Sequence, residues 1–316
     1  MKRILFTMRP QEGSCGGGMF FLKNMVKYLT ENGYEVVYDF SKKIDIIFVM
    51  DPRRNRTNHI PYDVVKSYKK DFPSVKIIHR VNECDIKRPT PIGIEPLLVK
   101  TMLIADVIIF VSSWLRDYFV SKYSLNELNT KYIINGCDRN IFFPADTIPN
   151  NKKLRIVTHH WSNNIMKGFN IYNFLDKMIG EDPKLNIEFI YIGRYIDGYV
   201  PKNIKLINPC TGETLANILR ICDIYITGTQ NEPGAMHYVE GLSCGLPVLY
   251  AKGGGGVNEV CMEYGYEFKD AKTLFEGLDI LGPEVKDIVN TKPKIAKALI
   301  KLGDNFKQKD HEIVNR

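Results

Sequence analysis

The sequence predicts an α/β fold made of two doubly wound parallel-sheet domains. Three observations carry that expectation. Short apolar runs alternate with longer stretches of helical period along the chain. A polar stretch rich in Pro and Asn interrupts the alternation once, after which it restarts. The 316 residues suit two domains of about 150 residues better than one. Alternating strands and helices give parallel sheets with right-handed crossovers. Ligands of such sheets sit outside the strand C-termini, so a cleft between two facing domains is the expected active site.

The elements follow in order. Arg3 to Thr7 reads as a strand and is followed by the Gly-rich loop Gly13 to Gly18. A helix is expected from Met19 to Asn32, with Phe21, Leu22, Met25, Val26 and Leu29 at helical spacing and Gly33 as its stop. Strands are expected at 35–38, 44–50, 75–79, 107–111 and 131–134, and helices at 64–71, 95–105 and 114–123. Phe143-Pro144 and the polar run Asp146 to Lys153 form the candidate linker. Beyond it, strands are expected at 155–158, 187–192, 204–207, 224–227 and 247–250. Helices are expected at 169–178, 212–220 and 235–243, with shorter ones after that, the last from Pro293 to Phe306. The first domain should span residues 1–148 and the second 149–299, with a helix at about 300–316 packing back on the first.

Composition narrows the function classes. With 44% hydrophobic and 25% charged residues the chain reads as soluble and globular. A net charge of +7 fits anionic small molecules, a membrane surface or nucleic acid without choosing among them. The basic residues Lys66, Lys69 and Lys70 read as a solvated helix face, and no nucleic-acid partner is expected. Seven scattered cysteines without a C-x-x-C pair argue against a disulfide framework and for a reducing, cytoplasmic compartment. Met1 to Met8 is too short for a signal-peptide core. No apolar run reaches membrane-spanning length, while peripheral contact with a membrane stays open.

Two stretches carry chemistry. Gly16, Gly17 and Gly18 sit between a strand and a helix, where backbone can approach a ligand and helix-terminal N–H groups can meet an anion. The loop matches neither a dinucleotide fingerprint, because Phe21 takes the last Gly position, nor a P-loop, because Met19 and Phe20 replace Lys and Ser/Thr. The run Gln230 to Val248 places Glu232 in a loop and Glu240 seven intervening residues later, about two turns into a helix opened by Pro233 and Gly234. The amides of Gly234, Ala235 and Met236 would then face a diphosphate, with carboxylates on sugar hydroxyls to either side. His237 and Glu240 lack the H-E-x-x-H pattern, and Asp-x-Asp is absent from the sequence, so no metal is expected.

The pattern E-x7-E followed by Gly-Leu-Ser-Cys-Gly-Leu-Pro-Val resembles the donor-site signature of retaining GT-B glycosyltransferases of the family-4 type, the glycosyl transferases group 1. Ile133 to Pro144, Thr158 to Gly168 and Val111 to Leu115 are similar to further segments of that family. The resemblance implies two facing Rossmann-like domains, donor transfer with retention, and no metal or other cofactor. It implies that Glu232 contacts the transferred sugar and Glu240 the ribose, and that Lys167, followed by Gly168, neutralises the diphosphate. The family's Arg before that Lys is missing here, and His159 or His160 stands in its place; His160 is carried as a catalytic candidate. Gly193, at a strand end, joins the donor-binding candidates. On the acceptor side, His79, Asn82, Glu83 and Asp85 follow a strand of the first domain. The implied partners are a UDP- or GDP-linked sugar and a saccharide, glycan, protein-linked glycan or lipid-linked acceptor. A nucleotide-sugar epimerase of the same fold and a non-catalytic nucleotide-sugar-binding protein are the alternative readings.

Overall fold

A computed structural model describes residues 2–11, 16–54, 58–146, 153–182 and 184–281. The chain divides into two compact units. The first comprises Met1–Asn135 together with Glu232–Ala235; the second comprises Gly136–Asn231 and the described residues from Met236 onward. The division falls at Asn135–Gly136, ahead of the expected linker, of which residues 147–152 lie outside the described residues. The helices expected at 293–306 and 300–316 also lie outside them.

The first unit is built on β1 (Arg3–Phe6), β2 (Glu35–Val37), β3 (Ile46–Val49), β4 (Lys76–Val81), β5 (Val107–Phe110) and β6 (Thr130–Tyr132). All pairings are parallel and the strand order is β2-β1-β3-β4-β5-β6. Successive side chains of a strand point to opposite faces, and both faces here are apolar. Ile4 and Phe6 pack with Leu22 of α1 (Gly17–Glu31), while Leu5 packs with Val65 of α2 (Tyr62–Asp71). That is the layering of a doubly wound sheet. α3 (Glu95–Met102) and α4 (Ser113–Tyr123) complete the unit, and Ser112 caps α4 by accepting from Leu115 N at 3.0 Å.

A buried polar knot braces this unit. Glu95, 1% exposed, accepts from Asp85 N at 2.8 Å, Tyr118 Oη at 2.9 Å, Lys122 Nζ at 2.8 Å and Tyr123 Oη at 2.6 Å. Asp85 in turn accepts from the backbone N–H groups of Ile92, Ile94 and Glu95. Burial pushes the Glu95 carboxyl up, but Lys122 and its hydrogen bonds outweigh that and hold it below the ordinary range.

The second unit carries β7 (Leu154–His160), β8 (Ile187–Gly193), β9 (Lys205–Ile207), β10 (Ile224–Thr227), β11 (Val248–Ala251) and β12 (Gly265–Phe268) in the parallel order β12-β11-β10-β7-β8-β9. Its helices are α5 (Phe169–Glu181), α6 (Gly212–Arg220), α7 (His237–Ser243), α8 (Gly256–Cys261) and α9 (Ala271–Leu281). Tyr172, Phe174 and Leu175 of α5 and Leu274, Phe275 and Leu278 of α9 close one core over the sheet.

One boundary needs correction with consequences for function. The helix expected from Ala235 starts at His237. Pro233 and Gly234 are held before it by hydrogen bonds from Ser112 Oγ to Pro233 O at 2.5 Å and from Asn135 Nδ2 to Gly234 O at 2.6 Å. A Cβ on Gly234 would come within 2.7 Å of Val111 O. Gly234 and Ala235 are therefore loop residues that do not open α7, and Glu240 lies in its first turn rather than its second.

Candidate functional site

The strand order of the second sheet reverses between β7 and β10. Ligands of open parallel sheets bind outside the strand C-termini at such a switch point. His159 and His160 end β7 and Thr227 ends β10, so the chain delivers them to that place. Lys167 follows β7 in a single turn, Ile165–Lys167. Asn164 caps the turn by accepting from Met166 N at 3.1 Å, and Gly168 closes it in the left-handed region at φ 93°. The turn is tied to the loop after β10 by Gln230 N donating to Met166 O at 2.8 Å. Asn231, just before Glu232, takes φ 49° and donates to Gly253 O at 3.0 Å.

A hydrogen-bonded chain runs beneath. His159 Nε2 lies 2.7 Å from Glu240 Oε2, and Tyr225 Oη lies 3.1 Å from both His159 Nδ1 and His237 Nδ1. A carboxylate only accepts, so His159 Nε2 carries hydrogen. With a neutral His159, Nδ1 accepts from Tyr225 Oη, and Tyr225 in turn accepts from His237 Nδ1–H. This assignment comes from the network itself. His160 Nε2 lies 2.8 Å from Tyr172 Oη, which also accepts from Gly228 N at 3.1 Å. Where Tyr172 donates to Nε2, hydrogen is left on His160 Nδ1. That nitrogen and His237 Nε2 are buried without partners, on rings whose centroids lie 4.6 Å apart. Burial, and then the nearby charge of Lys167, hold the His160 pKa well below its ordinary value. For His237 burial comes first, then His160, Lys167 and His159. His160 is therefore a buried, neutral imidazole rather than a cation.

Two glycines have backbone reasons of their own. A Cβ on Gly193 would fall 2.0 Å from His160 O, at φ 135°. A Cβ on Gly168 would fall 2.4 Å from Gly228 Cα. Gly193 thus lets β8 approach the end of β7, which is a packing role. Gly193→Ala should cost about 1–3 kcal/mol, read as a lowered urea midpoint. An unchanged midpoint would show that the strands part without penalty.

The four acceptor-side candidates separate. His79 is fully buried within β4, with both ring nitrogens lacking a hydrogen-bond partner. Asp85 is buried in the knot with Glu95. Glu83 pairs with Lys87 at 2.9 Å and Arg88 at 2.8 Å. Asn82 lies beside the Gly-rich turn, where a Cβ on Gly18 would meet its Nδ2 at 3.3 Å. Gly16 caps α1 without a side-chain bond, and Gly17 and Gly18 form its first residues. Glu232 is 7% exposed. Among the described residues no three His, Cys, Asp or Glu side chains come together as a metal-ligand set. No helix among them is long and apolar enough to cross a membrane.

Three buried imidazoles give a pH signature. Burial pushes His79 down to about 3, against a slight upward pull from Asp51, and lowers His160 and His237 as well. Unfolding returns each to near 6.5. Between that value and the folded one the unfolded chain binds more protons, so stability is fully present above pH 6.5 and is lost on acidification. The expected slope from pH 6.5 to 5 is up to about 1.4 kcal/mol per pH unit for each His. Thermal melts across that range test it, and His79→Leu should remove its share. A flat profile would mean that these rings are hydrated.

Two parallel Rossmann-like sheets with this switch-point arrangement define a GT-B fold. Residues 199–281 match the family model for glycosyl transferases group 1. Sucrose-phosphate synthase (tll1590) from Thermosynechococcus elongatus is similar over 100% of this chain and 98% of its own, at 13% identity and TM-score 0.63. Alr3699/HepE of Anabaena, in complex with UDP-glucose, is similar over 99% of this chain and 100% of its own, at 16% identity and TM-score 0.61. WaaG, a glycosyltransferase involved in lipopolysaccharide biosynthesis, covers 89% of this chain and 90% of its own, at 11% identity and TM-score 0.63. No curated protein matches the sequence.

Proposed function

We propose that the protein transfers a glycosyl group from a UDP- or GDP-linked sugar to a saccharide, glycan, protein-linked glycan or lipid-linked acceptor, with retention and without a metal. The observation that carries this reading is the E-x7-E segment, which falls within the family match and brings Glu240 to the switch point of the second sheet. The likeness to a protein that holds UDP-glucose supports a nucleotide-sugar donor. In this reading the bond between the anomeric carbon and the diphosphate breaks, the diphosphate leaves with the electron pair, and the acceptor oxygen attacks from the same face. Lys167 and the His160 Nδ1–H meet the developing negative charge. Glu232 accepts from the transferred sugar. Glu240, braced by His159, accepts from the ribose. Gly16 to Gly18 of the first, acceptor-side unit approach the phosphates. The six free cysteines among the described residues suit a cytoplasmic setting, with peripheral membrane contact where the acceptor is a lipid.

A panel of nucleotide sugars tests the reading, with thermal shift and nucleotide release as readouts and Glu232→Ala as control. A shift with one donor, and release that depends on Glu232, is the expected result. If no nucleotide sugar binds, the proposal fails. Conversion of the sugar without an acceptor would instead mean an epimerase. Binding without release in any acceptor screen would mean a non-catalytic binder, which the absence of the expected Arg favours over the epimerase.

A further inference from the structure

Among its described residues the first unit contains a buried cation without an anion. Arg80 on β4 is 4% exposed. Its guanidinium carbon sits 3.9 Å from the centre of the Phe21 ring, one turn into α1. Nη2 donates to Asn135 Oδ1 at 2.8 Å, while Nη1 is buried with no hydrogen-bond partner. No carboxylate among the described residues pairs with Arg80. Burial lowers its pKa to about 10, so it stays charged at neutral pH.

An isolated buried ion is among the costliest features a fold can keep, and folds normally pair it or neutralise it. Arg80 cannot neutralise at neutral pH, so its surroundings suit an anion that the described residues do not themselves provide. The neighbouring backbone agrees. Arg80 and Asn82 are two residues apart, which places them on one side of the strand line, and Asn82 Nδ2 lies against Gly18. Helix α1 starts there with no side-chain cap and no acidic residue in its first turn. Its leading N–H groups thus meet no carboxylate from the helix itself.

We infer that Arg80 anchors an oxyanion site of phosphate type, completed by Asn82 and the backbone of Gly17 and Gly18. The guanidinium fork suits two phosphate oxygens, and stacking on Phe21 fixes its plane. The phosphate has two possible sources: the diphosphate of a nucleotide sugar, which rests on the transferase reading, or a phosphate carried by the acceptor.

The test uses the full chain at fixed ionic strength, with inorganic pyrophosphate, UDP and glucose 6-phosphate as probes. Pyrophosphate should bind to the wild type. Arg80→Gln should weaken it at least tenfold and Arg80→Lys by less, because Lys keeps the charge and loses the fork. Removing an unpaired buried charge should leave the ligand-free melting temperature unchanged or raised. Should Arg80→Gln fail to fold, Asn82→Ala serves, with a several-fold loss expected. Displacement of pyrophosphate by UDP assigns the site to the donor. Arg80-dependent binding of glucose 6-phosphate to UDP-saturated protein assigns it to the acceptor. Anion binding that is absent, or indifferent to the Arg80 and Asn82 variants, overturns the inference. Nucleotide-sugar binding in the wild type, with the binding of all three anion probes indifferent to Arg80, would sink this site and leave the proposed function standing. Arg80-dependent pyrophosphate binding without any nucleotide-sugar binding would do the reverse.

Discussion

Lys167→Ala is expected to lower nucleotide release from the donor sugar by about 100- to 1,000-fold, roughly 3–4 kcal/mol of transition-state stabilisation. The reason is where the charge sits. The ammonium is held by a one-turn element that Asn164 and Gly168 lock, and it lies close enough to His160 and His237 to depress both. A positioned cation acts most strongly on charge that develops during reaction. The loss should therefore fall on kcat, with the donor KM changed little. Steady-state kinetics on the donor found in the panel decide it. A variant within threefold of wild type would remove Lys167 from the chemistry. A raised KM with normal kcat would reassign it to ground-state binding.

Glu95→Ala should destabilise the first unit by about 3–5 kcal/mol, the range for breaking a buried charge pair from one side. The substitution leaves the Asp85 N–H and two tyrosine hydroxyls without their acceptor, and strands Lys122 beside them. Denaturant titration followed through Trp114, on the adjacent helix α4, reads the effect. Glu95→Gln should recover part of the loss, since an amide oxygen still accepts but carries no charge for Lys122. A change below about 1 kcal/mol would mean that water enters and replaces the knot.

The architecture was legible because buried parallel strands are near-continuous apolar runs. Runs such as Ile46–Val49 and Ile224–Thr227 are hard to read otherwise. β12 was not legible: of its four residues only Phe268 is buried, so Gly265–Phe268 carries no pattern. The start of α7 misled for a different reason. Pro-Gly after a strand is a common helix opening, but here tertiary hydrogen bonds from Ser112 and Asn135 hold it outside the helix. At the site, the E-x7-E spacing singled out Glu240, and the resemblance to the family singled out Lys167. It could not show that His159 braces Glu240, because those residues meet only through the sheet. Arg80 escaped the sequence reading although a signal existed. Period-two alternation puts Ile78, Arg80 and Asn82 on one face of β4, and a charged residue on that face beside α1 asks for a partner.

The order of the second sheet also sets a timetable for synthesis. β7 is its first strand to be made and ends up in its interior, between β8 and β10. Its second neighbour arrives late: Arg155 finds Asp223 across a sequence separation of 68 residues. At ~5–20 residues per second, the open side of β7 waits about 3–14 s on the ribosome. In that interval an apolar edge with unmade backbone hydrogen bonds is open to the wrong strand. Crowding of nascent chains, rather than weakness of the finished fold, is where this protein is most exposed to misassembly.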